Sequence, residues 1–316
     1  MSHMLLKKQE CTVWRVKEQI KCTPKIQKEY SGKNISVAIL DTGIFLHPDF
    51  SNRILCFKDF IAGQENPYDD SGHGTHVAGC LAGDGLLSKG LYKGIAPSCN
   101  IISGKILDKN GSGNINTMIE AIEWILENKC KYHIRILNIS IGFENHVSDL
   151  KVNQLVEVLD EVWKNNILIV VAAGNKGPKS KSISPLGMKE NIVTVGCHDL
   201  DYYKEGVTLC ESYSGRGPSR FSLKKPDLVA PGPAIMSTCY KCKKKNQFFS
   251  HSYELKSGTS FATPLVSGAA ALLLEKNPNM KPDEVKYRLC YTATDLREPW
   301  NKQGWGMLNV EKALEL

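Results

Sequence analysis

The chain has 316 residues, of which 42% are hydrophobic and 23% are charged, and its formal net charge is +7. The hydrophobic content suffices for a large core, and we expect one globular catalytic unit, because α/β enzymes of this length often remain undivided. No hydrophobic run is long enough to span a bilayer. The densest positive cluster, Lys241 with Lys243–Lys245, is interpreted as a solvated loop, so neither a membrane nor a nucleic acid is expected as a partner.

Apolar strand candidates alternate with segments of helical periodicity along the chain. Strands are predicted at Ile35–Leu40, Ile101–Ile106, Ile134–Ser140, Ile167–Ala172 and Ile192–Gly196. Helices are predicted at Asn116–Asn128, Val152–Lys164, Pro264–Lys276 and Pro282–Thr292. This alternation predicts an α/β fold in three layers, with a mostly parallel sheet covered by helices on both faces.

Two polar groups stand out in the first part of the chain. The first predicted strand delivers Asp41-Thr42-Gly43 to its carboxyl end, where open α/β sheets place their active sites. His73 lies in Asp70–Gly79, where small residues allow a helix to start tightly around an imidazole. Asp41 and His73 are therefore candidates for a catalytic carboxylate and a catalytic base.

Ser260 lies where a glycine-rich turn, Gly258-Thr259-Ser260, runs into the apolar stretch Leu265–Leu274. By itself such a serine is also an ordinary helix cap. A serine hydroxyl becomes a good nucleophile when a base takes its proton and a carboxylate orients that base. Asp41, His73 and Ser260 supply these three roles.

The order Asp, His, Ser, each within its own long motif, resembles that of the subtilisin-like serine proteases, the subtilases. Three further segments resemble the family, so that the likeness covers the chain from about Ser36 to Leu308: Gly94–Pro97 with Lys105–Leu107, Val171–Asn175, and Lys225–Gly232. The resemblance implies the three-layer subtilisin-like fold and a serine endopeptidase that needs no cofactor for its chemistry. The details of Lys93–Pro97, Asp108–Gly113 and Ser214–Pro218 look closest to the cytoplasmic bacterial branch.

The resemblance also implies how a substrate would be held. The Asn175 amide and the Ser260 N–H would form the oxyanion hole, although Asn175 is also typical of a turn before Gly177-Pro178. A peptide would bind in extended form between two backbone segments, and further residues would border its side-chain pockets. The implied substrate-binding residues are Gly111, Ser112, Gly113, Ile115, Met118, Ser140, Ile141, Gly142 and Gly174.

Two positions depart from the usual family pattern. Phe261 follows the nucleophile where these proteases usually carry methionine, so an oxidation-sensitive thioether is absent. Asp69 and Asp70 precede His73, where carboxylates in the family can favour a basic residue just before the cleavage site. The alternative interpretation of these two aspartates is an exposed acidic turn.

Cysteine usage and the amino terminus indicate a compartment and a domain boundary. Eleven cysteines are many and odd in number, and several lie in apolar contexts, which fits a reducing, cytoplasmic location, with secretion or export as the alternative. Residues 1–33 are interpreted as an extension that begins with a tag remnant and continues as a structural arm, an inhibitory segment or a trimmed precursor. Residues 34–316 would form the catalytic domain.

A structural metal and the exact activity stay open at this point. Asp49 resembles a carboxylate that many subtilases donate to calcium, but Asp84–Gly90 does not match the usual calcium loop and Lys89 would repel a cation. The pair Cys239 and Cys242 lacks a second ligand pair at zinc spacing.

Besides an endopeptidase for protein turnover or for removal of a leader peptide, the alternatives are a catalytically silent peptide-binding relative and an esterase or transacylase with the same triad.

Overall fold

The structure, a computed structural model, describes residues 12–141, 149–200, 202, 208–218, 223–245 and 248–316. Its centre is a parallel sheet of seven strands in the order β2-β3-β1-β4-β5-β6-β7. The strands are β1 (Ser36–Asp41), β2 (Ile54–Asp59), β3 (Asn100–Lys105), β4 (Ile134–Ile139), β5 (Leu168–Ala172), β6 (Val193–His198) and β7 (Leu228–Pro231). The predicted parallel sheet is confirmed.

The helices of the described ranges cover both faces of this sheet. They are α1 (Thr12–Gln19), α2 (Pro24–Glu29), α3 (His73–Ala82), α4 (Ile115–Tyr132), α5 (Asp149–Lys164), α6 (Thr259–Lys276), α7 (Pro282–Tyr291), α8 (Trp300–Gln303) and α9 (Val310–Glu315). Helices α3 and α6 pack against each other and the sheet, and α4 and α5 form a second such pair. None of the helices in these ranges combines the length and apolar character needed to cross a bilayer.

The order in which the chain adds strands to the sheet reverses at strand β1. It pairs with β3 on one side and with β4 on the other, and the chain reaches these neighbours through separate crossovers. Every residue of β1 is buried, because helices cover both of its faces. In open α/β sheets, such a switch in strand order opens a crevice at the carboxyl ends of the strands, and β1 ends there at Asp41.

Helix α6 is apolar around most of its circumference and lies within the core. Phe261 to Leu274 are all buried, and an added Cβ at Gly268 would lie 2.6 Å from the Ile95 Cβ. The helix begins at Thr259, five residues before the predicted start at Pro264, so Ser260 belongs to its first turn. Burial along the helix therefore fixes the position of Ser260 relative to the sheet.

The amino-terminal helices join the same core. Val16 and Ile20 are buried, and the Ile20 carbonyl accepts a hydrogen bond from the Val310 N–H at 2.8 Å. The Gln27 amide donates to the carbonyls of Gly94 and Ile95 at 2.7 and 2.9 Å. These contacts join the amino-terminal helices to the start of α9 and to the segment that precedes β3.

The polar insertion before Ser260 is folded rather than a plain loop. Strands β8 (Ile235–Thr238) and β11 (Tyr253–Lys256) pair antiparallel, and between them β9 (Lys243–Lys245) pairs antiparallel with β10 (Phe248–Ser250). Contacts between β8 and α3 bring this region beside the start of the His73 helix. The interpretation of Lys241 to Lys245 as a solvated loop is correct in that Lys241, Lys243 and Lys244 are exposed. It is wrong in that Lys243–Lys245 form a strand rather than a loop.

Candidate active site

Asp41 and His73 are brought together by the end of β1 and the start of α3. The His73 Nδ1 lies 2.7 Å from the Asp41 Oδ1, which also accepts the Thr42 N–H at 2.7 Å. The approach is close enough to require glycine at position 74, because an added Cβ would lie 2.2 Å from the Gly43 oxygen. Since a carboxylate only accepts hydrogen bonds, His73 Nδ1 carries the proton and Nε2 is left as the basic nitrogen of the neutral ring.

Charges around His73 set its basicity. Burial lowers the pKa of His73, but the negative charge of Asp41 and its hydrogen bond outweigh this effect, so the pKa lies above the ordinary value of 6.5. Lys256, on β11, acts in the opposite direction and lowers the pKa of the imidazole. The site therefore stabilises the protonated ring that a proton transfer from a serine would create.

Asp69 fixes the turn that leads into His73. The Asp69 Oδ1 accepts hydrogen bonds from the Thr42 hydroxyl and from the backbone N–H groups of Ser71 and Gly72. The Asp69 Oδ2 accepts the backbone N–H and the hydroxyl of Thr75 at 2.9 and 2.6 Å. The interpretation of Asp69 as part of an exposed acidic turn is wrong, because its carboxylate is buried and accepts N–H groups from the turn before α3 and from the first turn of that helix.

Asp70 is exposed, but its charge is balanced by Lys105. The Lys105 ammonium, in a side chain that is 1% exposed, lies 2.8 Å from the Asp70 Oδ1. It also donates to the carbonyl oxygens of Thr42 and Leu107 at 2.7 and 2.8 Å. The sequence analysis placed Lys105 in a segment that resembles the family but assigned it no role, although a lysine that ends the apolar strand β3 is an unusual feature.

The turn that carries Ser260 lies against the imidazole. The Phe261 ring, which follows Ser260 directly, has its centroid 5.2 Å from that of His73. Gly258 precedes the helix with φ of 151°, a backbone conformation that favours glycine, and its N–H donates to the Gly232 carbonyl at 3.1 Å. Ser260 is half-buried at the start of α6, where its N–H is one of the free amides of a helix amino terminus.

Asn175 meets this turn from the end of the segment that follows β5. Its Oδ1 accepts the Thr259 hydroxyl at 2.9 Å and the Thr259 N–H at 3.3 Å. Its amide nitrogen faces Gly258, where an added Cβ would lie 3.7 Å away. In the described hydrogen bonds this amide group has no acceptor, so its two N–H bonds remain available beside Ser260.

Asp108 shapes the loop that contains the first predicted substrate-binding segment. The Ser112 carbonyl accepts the Asp108 N–H at 2.8 Å, and the Ser112 N–H donates to the Asp108 Oδ1 at 2.9 Å. The backbone of Ser112 is therefore occupied within the loop. Gly111 and Gly113 are exposed, and an added Cβ at Gly113 would lie 2.5 Å from the Ile106 oxygen, so only glycine fits there.

The other predicted substrate-binding residues lie at different depths. Ser140 and Ile141 follow β4 and are buried, whereas Gly142 lies outside the described residues. Ile115 is half-buried at the start of α4, and Met118 has no exposed surface. Gly174 has φ of 93° and accepts the Gly215 N–H at 2.8 Å.

Asp49, the weak calcium candidate, has its carboxylate engaged by protein donors. The Tyr253 hydroxyl donates to its Oδ2 at 2.8 Å and the Leu87 N–H to its Oδ1 at 3.1 Å. Burial lowers the pKa of His47 and so favours the neutral ring, whose Nδ1 accepts the Asp49 N–H while Nε2 donates to the Ser252 carbonyl. Calcium needs six to eight oxygen ligands, and these contacts leave Asp49 little capacity for an ion.

The Arg53 side chain binds backbone carbonyl groups close to Asp49. Its guanidinium donates to the backbone carbonyl oxygens of Asp49 and Ala82 at 2.5 and 2.7 Å, and it lies 3.7 Å from the Asp84 carboxylate. In the described ranges no three His, Cys, Asp or Glu side chains lie close enough to hold a metal ion. The residues around Asp49 therefore do not fit a calcium site.

Comparison with known proteins agrees with this arrangement. The subtilase family model matches residues 32–306, which is most of the chain. The chain belongs to the subtilase family. Subtilases are serine endopeptidases and need no cofactor for catalysis, so this subtilase is a hydrolase that acts on peptide bonds.

Individual relatives and structures support the same assignment. This subtilase is 40% identical over 299 residues to serine protease AprX of Bacillus subtilis (strain 168), covering 90% of this chain and 67% of the relative. It is 32% identical to subtilisin DY of Bacillus licheniformis, covering 92% and 95% of the two chains. The solved structure of Sphericase matches with a TM-score of 0.76 at 27% identity, over 90% of this chain and 97% of that one.

Proposed function

We propose that this subtilase cleaves peptide bonds through an acyl-enzyme on Ser260. The observation that carries the proposal is the 2.7 Å hydrogen bond between Asp41 and His73, which lies beside the turn of Ser260. His73 acts as the base, and Asp41 orients the imidazole and stabilises its protonated form. All members of the triad are present, which argues against the catalytically silent relative.

The first half of the reaction makes the acyl-enzyme. The Ser260 Oγ attacks the substrate carbonyl carbon while its proton passes to His73 Nε2. The carbonyl oxygen becomes negative and accepts hydrogen bonds from the Asn175 amide and the Ser260 N–H. His73 then gives its proton to the amine, the C–N bond breaks, and the amine half of the peptide leaves.

The second half releases the acid. Water gives a proton to His73 and attacks the ester carbonyl on Ser260, and the same two donors hold the new oxyanion. His73 returns the proton to the Ser260 oxygen as the ester bond breaks. No metal or organic cofactor takes part in these steps.

The substrate binds in extended form as a strand between two backbone segments. On one side Gly113 offers the free backbone, because Ser112 is occupied by Asp108. Ser140 and Ile141 form the other side, and Gly142, which the resemblance also implies there, lies outside the described residues. Ile115 borders one side-chain pocket and Gly174 borders another, whereas Met118 has no exposed surface and belongs to the core.

We also propose that the enzyme works in a reducing, cytoplasmic compartment, with secretion as the alternative. All ten cysteines of the described ranges are unpaired, and most of them are buried. Burial raises the pKa of Cys22 to about 11 and the pKa of Cys80 to about 12, so these thiols resist conversion to the reactive thiolate. Counting free thiols in protein isolated under thiol-trapping conditions tests this location.

We propose that the described part of the amino-terminal extension, residues 12–33, is a structural arm of the catalytic domain, residues 34–316. The burial of Val16 and Ile20 and the bond from Val310 to Ile20 support this division of the chain. The mass of the purified active enzyme tests it, because a structural arm remains attached, whereas an inhibitory segment is removed on activation.

The enzymatic proposal is tested by cleavage of a mixed peptide library. Wild type, Ser260→Ala and wild type treated with a serine-reactive sulfonyl fluoride are compared. Cuts that occur only in untreated wild type support the proposal, and peptide cuts that persist in Ser260→Ala refute it. Turnover of esters without peptide cleavage would instead identify an esterase or transacylase. A flat cleavage profile indicates general protein turnover, and a single site indicates dedicated processing.

A further inference from the structure

A basic hairpin stands beside the start of the His73 helix. We call the described residues between β8 and β11, residues 239–245 and 248–252, the lysine hairpin. The Tyr240 ring packs directly on Gly72, where an added Cβ would lie 2.2 Å from the Tyr240 Cδ1. Gly72 immediately precedes His73, so the lysine hairpin borders the place where a substrate reaches the imidazole.

The base of the lysine hairpin is held firmly. The Cys239 N–H donates to the Ser252 carbonyl at 2.9 Å, and the Cys242 Sγ lies 3.5 Å from the Ser252 Oγ. The same Ser252 carbonyl accepts the His47 Nε2–H at 2.9 Å. On the strand before the hairpin, the Thr238 hydroxyl donates to the Thr75 carbonyl of α3 at 2.8 Å. These bonds fix the position of the hairpin relative to His73.

The lysine hairpin carries positive charge that nothing in the described ranges balances. Lys241, Lys243 and Lys244 are exposed, and none of them forms an ion pair with a described residue. The Lys241 ammonium lies 5.4 Å from the Tyr240 ring and the Lys244 ammonium lies 6.0 Å from the Phe249 ring. The surface therefore combines three unpaired cations with aromatic side chains.

We propose that the lysine hairpin is an exosite that binds an acidic segment of the protein substrate as it passes His73. The inference rests on the proposed function, because only a substrate in the cleft passes this point. Clustered charges of one sign attract an oppositely charged ligand over about 10 Å at moderate salt, and added salt weakens the attraction. A nucleic acid would need a broader basic face than this one hairpin offers.

The test compares peptides that share one cleavage site and carry four glutamates before it, four glutamates after it, or four glutamines. Wild type is compared with Lys241→Ala/Lys243→Ala/Lys244→Ala and with Lys25→Ala/Lys28→Ala/Lys33→Ala, a control that removes the same charge from exposed positions in and after α2. We expect the kcat/KM of wild type to be about tenfold higher for one of the two glutamate peptides, the one whose acidic segment reaches the lysine hairpin, than for the glutamine peptide at low salt. This ratio should fall as salt rises. The hairpin variant loses this ratio, and the control keeps it.

A binding measurement separates the exosite from catalysis. In a Ser260→Ala background, fluorescence anisotropy of the labelled glutamate peptide reports binding without cleavage, and the three hairpin substitutions should weaken it about tenfold. Reversal of the three charges to glutamate should shift the preference to a lysine-bearing peptide. If wild type and the hairpin variant prefer the glutamate peptide over the glutamine peptide equally, the exosite is refuted. DNA and polyglutamate are also added as competitors of the labelled peptide, and stronger competition by DNA refutes the exosite as well. Cleavage that survives in Ser260→Ala refutes the proposed function instead.

Discussion

Tyr253→Phe removes one hydroxyl and tests whether a protein donor stands in for calcium at Asp49. The Tyr253 hydroxyl donates to the Asp49 Oδ2 at 2.8 Å, and Asp49 is 0% exposed. Phenylalanine keeps the ring, whose centroid lies 4.8 Å from that of Tyr92 and 5.6 Å from that of His47. The substitution therefore deletes a hydrogen bond and leaves the packing in place.

The expected loss follows from the charge and the burial of Asp49. A hydrogen bond to an ionised group contributes about 1.5–3 kcal/mol to the free energy of unfolding. Water does not reach the buried carboxylate, so it does not replace the lost donor. A loss of this size corresponds to a change of about 10- to 150-fold in the unfolding equilibrium.

The assay is equilibrium unfolding in urea, followed by circular dichroism, in a Ser260→Ala background that prevents self-digestion. Each variant is measured with calcium and with excess chelator. We expect Tyr253→Phe to lower the urea midpoint and the chelator to leave the midpoint of the parent chain unchanged. Tyr291→Phe, at a side chain that is 60% exposed, is the matched control and should have little effect. A chelator-dependent midpoint in the parent, or equal midpoints for Tyr253→Phe and Tyr291→Phe, would refute the reasoning.

Three further predictions concern catalysis. Lys256→Met should raise the pKa of His73, because the lysine charge lowers it; since the base must be neutral, the acid limb of kcat/KM should move to higher pH, and an unmoved limb would count against the assignment. Asn175→Ala should lower kcat about 10²- to 10³-fold with little change in KM, the effect known for the oxyanion asparagine of subtilisin, and unchanged kcat would remove Asn175 from the oxyanion hole. Wild type should keep its activity in mild peroxide, whereas Phe261→Met should lose it as the thioether is oxidised; equal losses would show that position 261 does not set peroxide sensitivity.

The parts of the fold that follow local patterns were accessible from sequence. The buried strands β1, β3, β4, β5 and β6 are short apolar runs, helices α4, α5 and α7 follow a helical period, and α6 contains a long apolar stretch, so their alternation predicts the sheet. Asp41, His73 and Ser260 each lie in a local motif at the end of a strand or the start of a helix. The meeting of Asp41 with His73 follows from the position of β1 within the sheet.

The parts that depend on distant partners were not accessible. Strands β8 and β11 are mixed in polarity and pair across an insertion, so neither is evident from its own residues. Asp69 lies in a segment with the composition of an exposed turn, and its burial depends on hydrogen bonds donated by the hydroxyl groups of Thr42 and Thr75. Lys105 can be buried because the Asp70 carboxylate and two backbone carbonyl groups accept hydrogen bonds from its ammonium. In each case the energy of a buried polar group is set by partners that sequence spacing does not reveal.

Covalent labelling of Ser260 tests the central claim most directly. A sulfonyl fluoride is added in small excess, residual peptidase activity is followed, and the modified residue is located by mass spectrometry of a digest. We predict one adduct per chain, on the Ser260 hydroxyl, formed in proportion to the loss of activity and strongly slowed in His73→Ala. Full activity with Ser260 modified, or inactivation through a different residue, would contradict the account.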